Sequence, residues 1–330
     1  MHPLTRFFNY LKRIDFSLAL AREHIDDRNL TEWYPAWMYE LMETDEVRNR
    51  AYGNAIQEAV SGKVVLELGT GRKALWALFC ARAGAKRVYA IEANQKAYQS
   101  SLDVVRSRGI ENVHLIHGFS DQVELPERCD VLVHDLVGDI GSSEGMIPFV
   151  EDAKRRLLSA DAIHIPQRCM TLVILAEDPK LSLAEWGLSY GLRGFGRFDA
   201  LPFVRLFGFP HSAALSEPHV FEDLVLDQAL PLGTSKQFAV EIKRDGELRG
   251  VCFFIRLYLS ESHVVDTWES HTSWSTPYVR LKAAVSVKKG NFIEVSLRSD
   301  LSGNPSYSLK LLHRSNGVAR EIGEYAWSGD

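Results

Sequence analysis

The chain has no long apolar run, no block of lysine or arginine, and only four cysteines among 330 residues, and each shortage narrows what it can be. A helix that crosses a bilayer needs roughly eighteen or more consecutive apolar residues, and none occurs, so no membrane partner is expected. Without clustered basic residues, and with a net charge of -5, the electrostatic footprint of a nucleic-acid binder is missing. A mildly acidic balance suits a cationic substrate instead. Cys80, Cys129, Cys169 and Cys252 are scattered, with no metal-ligand spacing, so the reading is reduced thiols and no metal. The opening residues Met1-His2-Pro3-Leu4-Thr5-Arg6 carry neither the apolar core nor the small-residue cleavage site of a secretory signal, which makes the cytoplasm the expected compartment. No internal repeat or low-complexity stretch is present.

What is there begins at Val64-Val65-Leu66-Glu67-Leu68-Gly69-Thr70-Gly71, a buried-strand pattern running into a glycine turn. Some twenty residues on, Val88-Tyr89-Ala90-Ile91-Glu92 reads as a second strand ending in a carboxylate. Gly69 and Gly71 permit a close backbone approach to a ligand where a Cβ would collide. Glu92, at a strand tip, is placed to accept hydrogen bonds from the two hydroxyls of a ribose. Ala74 stands where a dinucleotide fingerprint has its third glycine, so no pyrophosphate need be cradled. A nucleoside without a pyrophosphate fits better, which favours S-adenosylmethionine over NAD. An amphipathic helix bearing Ala74, Leu75, Leu78, Phe79 and Arg82 separates the two strands and strengthens that reading.

Strand and helix patterns alternate from residue 63 to 166. Strands are expected at 64–68, 87–91, 113–117, 130–134 and 162–165, with helices at 73–83, 95–108 and 145–158. This βαβα alternation specifies an α/β class, a Rossmann-like doubly wound parallel sheet with ligands at the carboxyl ends of its strands. Before it, residues 1–62 form a helical segment, with Phe7, Leu11, Ile14, Leu18 and Ala21 at helical spacing. After it, residues 167–330 carry short strand runs at 238–243, 250–259, 278–287, 291–298 and 308–313, separated by turn chemistry such as Arg244-Asp245-Gly246. An antiparallel β-barrel or sandwich is expected there.

At the fourth strand, Asp135 follows Val131-Leu132-Val133-His134, and a short glycine-bearing loop leads to Glu144, where the next helix begins. Two carboxylates bracketing such a loop can converge on one point and hold a guanidinium through paired charge-assisted hydrogen bonds. Plainer roles stand beside this one: Asp135 as a helix cap and Glu144 as a carboxylate favoured by the helix dipole. His134 reads as a packed strand-end histidine rather than a base.

The stretch Met42-Glu43-Thr44-Asp45-Glu46-Val47-Arg48, with Tyr52, Ile56 and the glycine turn, resembles the entry to the catalytic core of protein arginine methyltransferases. Ala81-Arg82-Ala83-Gly84-Ala85-Lys86-Arg87-Val88, Val123-Glu124-Leu125-Pro126 and the Asp135-to-Glu144 spacing continue the resemblance, more thinly as far as Trp274. It implies a class I S-adenosylmethionine-dependent methyltransferase. Arg48 would hold the cofactor carboxylate, with Glu67, Gly69 and Gly71 near its amino-acid portion, Glu92 on the ribose and Asp121 on the adenine amino group. Asp135 and Glu144 would bind the acceptor, and Met42, Tyr39 and Trp274 would line its side of the site. The plain readings remain core packing for Met42 and a helix-surface partner for Arg48. The glycine- and aromatic-rich segment at 186–210 would be the arm that pairs two subunits as a homodimer.

Several positions depart from the family pattern. The first loop carboxylate is Asp135 rather than glutamate, retracting the charge by about 1.5 Å. Leu136, Val137 and Asp139 replace aromatic and methionine residues, and the Thr-His-Trp signature appears as Thr272-Ser273-Trp274. Lys73 stands where a further glycine is common, and Trp33 and Tyr39 occupy the neighbourhood of the family's paired tyrosines. The expected activity is methyl transfer to a guanidino nitrogen, of arginine in a peptide or protein or of a small compound. A small-molecule methyltransferase acting on another N, O or C atom, and a non-catalytic dimeric binding module, are the alternatives.

Overall fold

Continuous runs of β-branched and aliphatic residues, each closed by a glycine or a capping residue, build the first half of the chain. The computed structural model describes residues 36–179, 203–315 and 318–329. Five strands, β1 (Val64–Leu68), β2 (Arg87–Glu92), β3 (Val113–His117), β4 (Cys129–His134) and β5 (Leu158–Ile165), form one parallel sheet in the order β3-β2-β1-β4-β5. The order reverses between β1 and β4, whose ends at Leu68 and His134 lie side by side. Such a switch point opens a crevice at the carboxyl edge of the sheet, where doubly wound folds bind ligands. The Rossmann-like expectation holds.

Helices α1 (Ala36–Glu43), α2 (Glu46–Ala59), α3 (Leu75–Arg82), α4 (Gln95–Ser107) and α5 (Met146–Arg156) accompany the sheet. Asp45 caps α2 by accepting the Arg48 N–H, and Asn94 caps α4 through the N–H groups of Lys96 and Ala97. The helix expected from 73 starts at Leu75 because Ala74 sits in the left-handed region, at φ 47°. The helix expected at 145–158 is shorter because Gly145, at φ 68°, precedes it and Leu158 already belongs to β5. That strand also begins four residues before the expected 162, since Ser159 and Asp161 interrupt its apolar pattern.

A cis peptide at Ile165–Pro166 joins the parallel sheet to the second half. There β6 (Arg168–Ala176), β7 (Phe203–Leu206), β8 (His219–Val225), β10 (Gly246–Tyr258), β11 (Val264–Asp266) and β12 (Thr276–Val287) form one antiparallel sheet, ordered β7-β12-β10-β6-β8 with β11 on β10. The remaining strands, β9 (Gly233–Glu241), β13 (Phe292–Asp300), β14 (Ser306–Ser315) and β15 (Val318–Ser328), form the other, ordered β15-β14-β13-β9. The antiparallel expectation is met, and the five expected runs fall on β9, β10, β12, β13 and β14. Residues 203–206 of the expected subunit-pairing arm are strand β7, bonded to β12. Residues 186–202 of that arm and the expected helix through Phe7 to Ala21 lie outside the described residues. One cluster of buried side chains runs from the parallel sheet into both antiparallel ones, so the crevice has walls from both halves.

Candidate active site

A cavity of about 340 Å³ opens at the carboxyl edge of the parallel sheet. Its floor is the turn after β1, and residues following β2, β3 and β4 complete one side. Gly69 and Gly71 lie at φ +72° and +68°, a backbone region that side chains with a Cβ rarely adopt. A Cβ on Gly69 would stand 3.2 Å from Leu136, and one on Gly71 would stand 3.5 Å from the Tyr39 ring. Glu92, buried at the tip of β2, accepts the Gly71 N–H at 2.7 Å on one oxygen and the Asn94 N–H at 2.8 Å on the other. Burial raises its carboxyl above the ordinary range, while those backbone donors and His117 oppose the rise. The turn, the strand-tip carboxylate and the space above them suit a nucleoside-bearing ligand.

Tyr39 on α1 covers the turn, and burial raises its hydroxyl well above the ordinary phenol range. Glu43, at the end of α1, is gripped by Arg72 Nε at 2.8 Å and Lys73 Nζ at 2.6 Å. Against burial, which pushes it up, these donors hold the Glu43 carboxyl below its usual value. Lys73, in place of a glycine, thus fastens α1 over the cavity.

The first turn of α2 delivers Arg48 into the cavity wall. Its guanidinium is ion-paired with Asp135 at the end of β4, and Nη1 donates to the carbonyl of Met42 at 2.8 Å and to Asn49 Oδ1 at 2.9 Å. The Cζ lies 5.0 Å from the Trp76 ring centroid, and Trp76 stacks on Tyr52 at 4.4 Å. Tyr52 donates to Asp135 Oδ1 at 3.0 Å. Burial raises the Asp135 carboxyl, and Arg48 and Tyr52 counter it. Arg48, expected on a cofactor carboxylate, instead holds Asp135, with its Nε buried and without a hydrogen bond.

From Asp135 the chain loops to Glu144, and both line the cavity. Trp274 Nε1 donates to the carbonyl of Val137 at 2.6 Å. Asp139 accepts the Ser275 N–H at 2.7 Å together with its hydroxyl, and Arg205 on β7 pairs with it at 3.5 Å. The Ser273 N–H donates to Asp45 Oδ2 at 2.5 Å, so a backbone donor reaches the α2 cap where the family motif carries a histidine. The loop from Asp135 to Glu144 is thus bolted to the strand-bearing half, and Met42, Tyr39 and Trp274 line the same cavity.

Two expected cofactor residues stand elsewhere. Glu67 is fully buried beneath the glycine turn, accepting from the Thr70 hydroxyl, with the backbone N–H groups of Trp76 and Ala77 close enough to favour its charged form. Its Oε1 has no hydrogen-bond partner, and burial pushes the carboxyl up to about 8. It does not line the cavity, because an inward-facing residue of a central strand points into the core. Asp121 is exposed in the 3₁₀ turn Ser120–Gln122, and Gly118, Phe119 and Ser120 face the cavity beside it. His134 is buried, and burial pushes its imidazole down to about 3, so it is no base at neutral pH. Sequence reasoning missed Asp45, Trp76, Arg205 and Ser275. Only Asp45 carried a signal, as an N-cap three residues before Arg48.

Comparison with known proteins bears out the resemblance read from the motifs. Residues 28–165 match the family model described as PRMT5 arginine-N-methyltransferase. A probable protein arginine N-methyltransferase 6.1 from Oryza sativa subsp. indica is 33% identical over 162 residues, covering 47% of this chain and 42% of that protein. Protein arginine N-methyltransferase 1 of Schizosaccharomyces pombe is 30% identical over 167 residues, covering 49% of each. The chain thus spans less than half the length of these relatives. Among solved structures, the Trypanosoma brucei PRMT1 enzyme–prozyme heterotetrameric complex with AdoHcy superposes with a TM-score of 0.74 at 17% identity, covering 89% of this chain and 98% of that one. Arabidopsis thaliana protein arginine methyltransferase 10 gives 0.75 at 18%, with the same coverage. At such identities the likeness establishes the fold.

Proposed function

We propose that this chain is an S-adenosylmethionine-dependent N-methyltransferase whose acceptor is a guanidino nitrogen, of arginine in a peptide or protein or of a small guanidino compound. One observation carries the reading: Asp135 and Glu144 line the same cavity as Gly69, Gly71 and Glu92. The family match supports it.

The residues fit the cofactor. Gly69 and Gly71 leave room that a Cβ would fill, Glu92 presents a carboxylate toward ribose hydroxyls, and Phe119 offers an apolar ring on the adenine side. Bound there, the cofactor would supply an electrophilic methyl group. The acceptor guanidinium would be held by Glu144 and Asp135, a planar fork against two carboxylates. A guanidinium is protonated at neutral pH, so the reacting nitrogen must lose a proton, and the Glu144 carboxylate is the acceptor for it. Asp135 brings its ion pair with Arg48 to this site. Met42 and Trp274 exclude water around the reacting nitrogen. A homodimer, argued from the aromatic and glycine-rich sequence at 186–198, belongs to the same reading.

The test is transfer of labelled methyl from S-adenosylmethionine to free arginine, small guanidines and arginine peptides. Label on a guanidino nitrogen is the expected result. Label confined to another atom type, or none while S-adenosylhomocysteine still binds, overturns the proposal.

A further inference from the structure

We propose that Glu222, a carboxylate outside the cavity, is the positioning residue for the acceptor loop: it fixes the backbone at 141–142 and thereby sets where Glu144 stands. The inference rests on the reading of Glu144 given above.

Glu222 lies on β8 and is wholly buried, between Phe221 and Leu224 of the core. An apolar residue at such a position would serve the sheet, whereas an ionised carboxylate there is unfavourable unless well supplied with donors. Its donors come largely from the loop or from what touches it. The Ser142 hydroxyl donates to Oε1 at 2.7 Å and the Thr171 hydroxyl donates to Oε2 at 2.9 Å. Burial raises the Glu222 carboxyl, and these hydroxyls, with the nearby Ser142 backbone N–H and Ser299 hydroxyl, oppose the rise.

An ionised carboxylate only accepts, and in that state the direction of the chain of bonds is fixed. With its proton committed to Glu222, Thr171 Oγ1 is free to accept the Gly141 N–H, at 2.9 Å. With its own proton committed likewise, Ser142 Oγ accepts from the Tyr307 hydroxyl, at 2.7 Å. Two consecutive loop residues are thus tied down, one by its amide and one by its side chain. The loop also lies flat on β6: a Cβ on Gly141 would come within 2.6 Å of Cys169 Sγ. Ser142 is two residues from Glu144, a span of about 7 Å at most, so a shift at the anchor reaches the carboxylate.

The experiment compares the full-length wild type with Glu222→Gln and, as a core control on the same strand, Leu224→Ala. Glutamine keeps the shape, but its NH2 group donates, so one limb of the bond chain must reverse. A displacement of about 1 Å at a reacting group can lower turnover on the order of 100-fold. Glu222→Gln is therefore expected to lower kcat for a guanidino acceptor by about tenfold or more, with S-adenosylhomocysteine affinity within about twofold. Exchange of the amide hydrogens of residues 141–144 should quicken in parallel. Leu224→Ala should lower the melting temperature at least as much and leave kcat within about twofold. Unchanged kcat and unchanged exchange in Glu222→Gln, or an equal kcat loss in Leu224→Ala, overturns the proposal. Should the wild type methylate no guanidine, the functional reading fails by itself, and the exchange comparison alone decides whether Glu222 positions the loop.

Discussion

Arg48 and Asp135, 87 positions apart in the chain, form a buried ion pair in the wall of the cavity. Asp135 has a second support in the Tyr52 hydroxyl, and Arg48 stacks on Trp76. A helix entering from before the parallel sheet is thereby locked to the loop from Asp135 to Glu144.

Removing one member of such a pair leaves the other charged in the interior without its counter-ion. Arg48→Ala should lower unfolding stability by about 3–5 kcal/mol, read from urea midpoints at neutral pH. Protonating Asp135 relieves the uncompensated charge, so the deficit should shrink in acid. A loss below about 1 kcal/mol would place this pair with exposed ones and contradict the assignment.

Glu92 is predicted to couple cofactor affinity to the shape of the glycine turn. Its two oxygens hold the Gly71 and Asn94 N–H groups, and glutamine can accept through only one of them. Losing a charged hydrogen bond to a backbone donor corresponds to about 1.5–3 kcal/mol, so Glu92→Gln should weaken S-adenosylhomocysteine binding by about tenfold or more in a calorimetric titration. Equal affinities would separate the strand-tip carboxylate from the ligand site.

Glu67 makes a prediction about pH. Burial raises its carboxyl from an ordinary 4.5 to about 8. Between those values the folded chain keeps a proton that the unfolded chain has released, so stability falls as pH rises through the window, by at most about 1.4 kcal/mol per unit. The contribution is fully present below 4.5 and lost above about 8. His134 and His164, pushed down to about 3 and about 4, act in the opposite sense but only below their ordinary 6.5. The difference in urea midpoints between wild type and a Glu67 variant, followed from pH 6.5 to 8.5, therefore isolates Glu67 from the other buried carboxyls. Glu67→Gln, which carries no titrating group, should flatten the decline and be the more stable protein at the upper end. Parallel curves would show that Glu67 is ionised throughout.

Much of the first half could be read from sequence because its signals are local. β1 and β3 fall on the expected residues, and Gly69, Gly71 and Glu92 meet as spacing implied. The misses have physical causes. Glu67 and Asp121 sit next to cavity residues in the chain, but strand alternation turns one into the core and a 3₁₀ turn leaves the other exposed. In the second half, β6 is buried along most of its length and so lacks the alternation of a half-exposed strand, and β11 is three residues long. The partners of the acceptor loop were hidden for another reason. Ser275, Arg205, Thr171 and Glu222 meet it only through tertiary packing, across as many as 136 positions for Ser275.

The central claim is that the carboxylate at 144 holds and deprotonates a guanidino acceptor, and turnover of Glu144→Gln at saturating S-adenosylmethionine tests it most directly. A group that both binds and accepts the proton is worth about 10²–10⁴-fold in rate, so kcat should fall by at least about 100-fold while S-adenosylhomocysteine affinity stays within about twofold. Wild-type turnover in the variant, with label still on a guanidino nitrogen, would contradict the account.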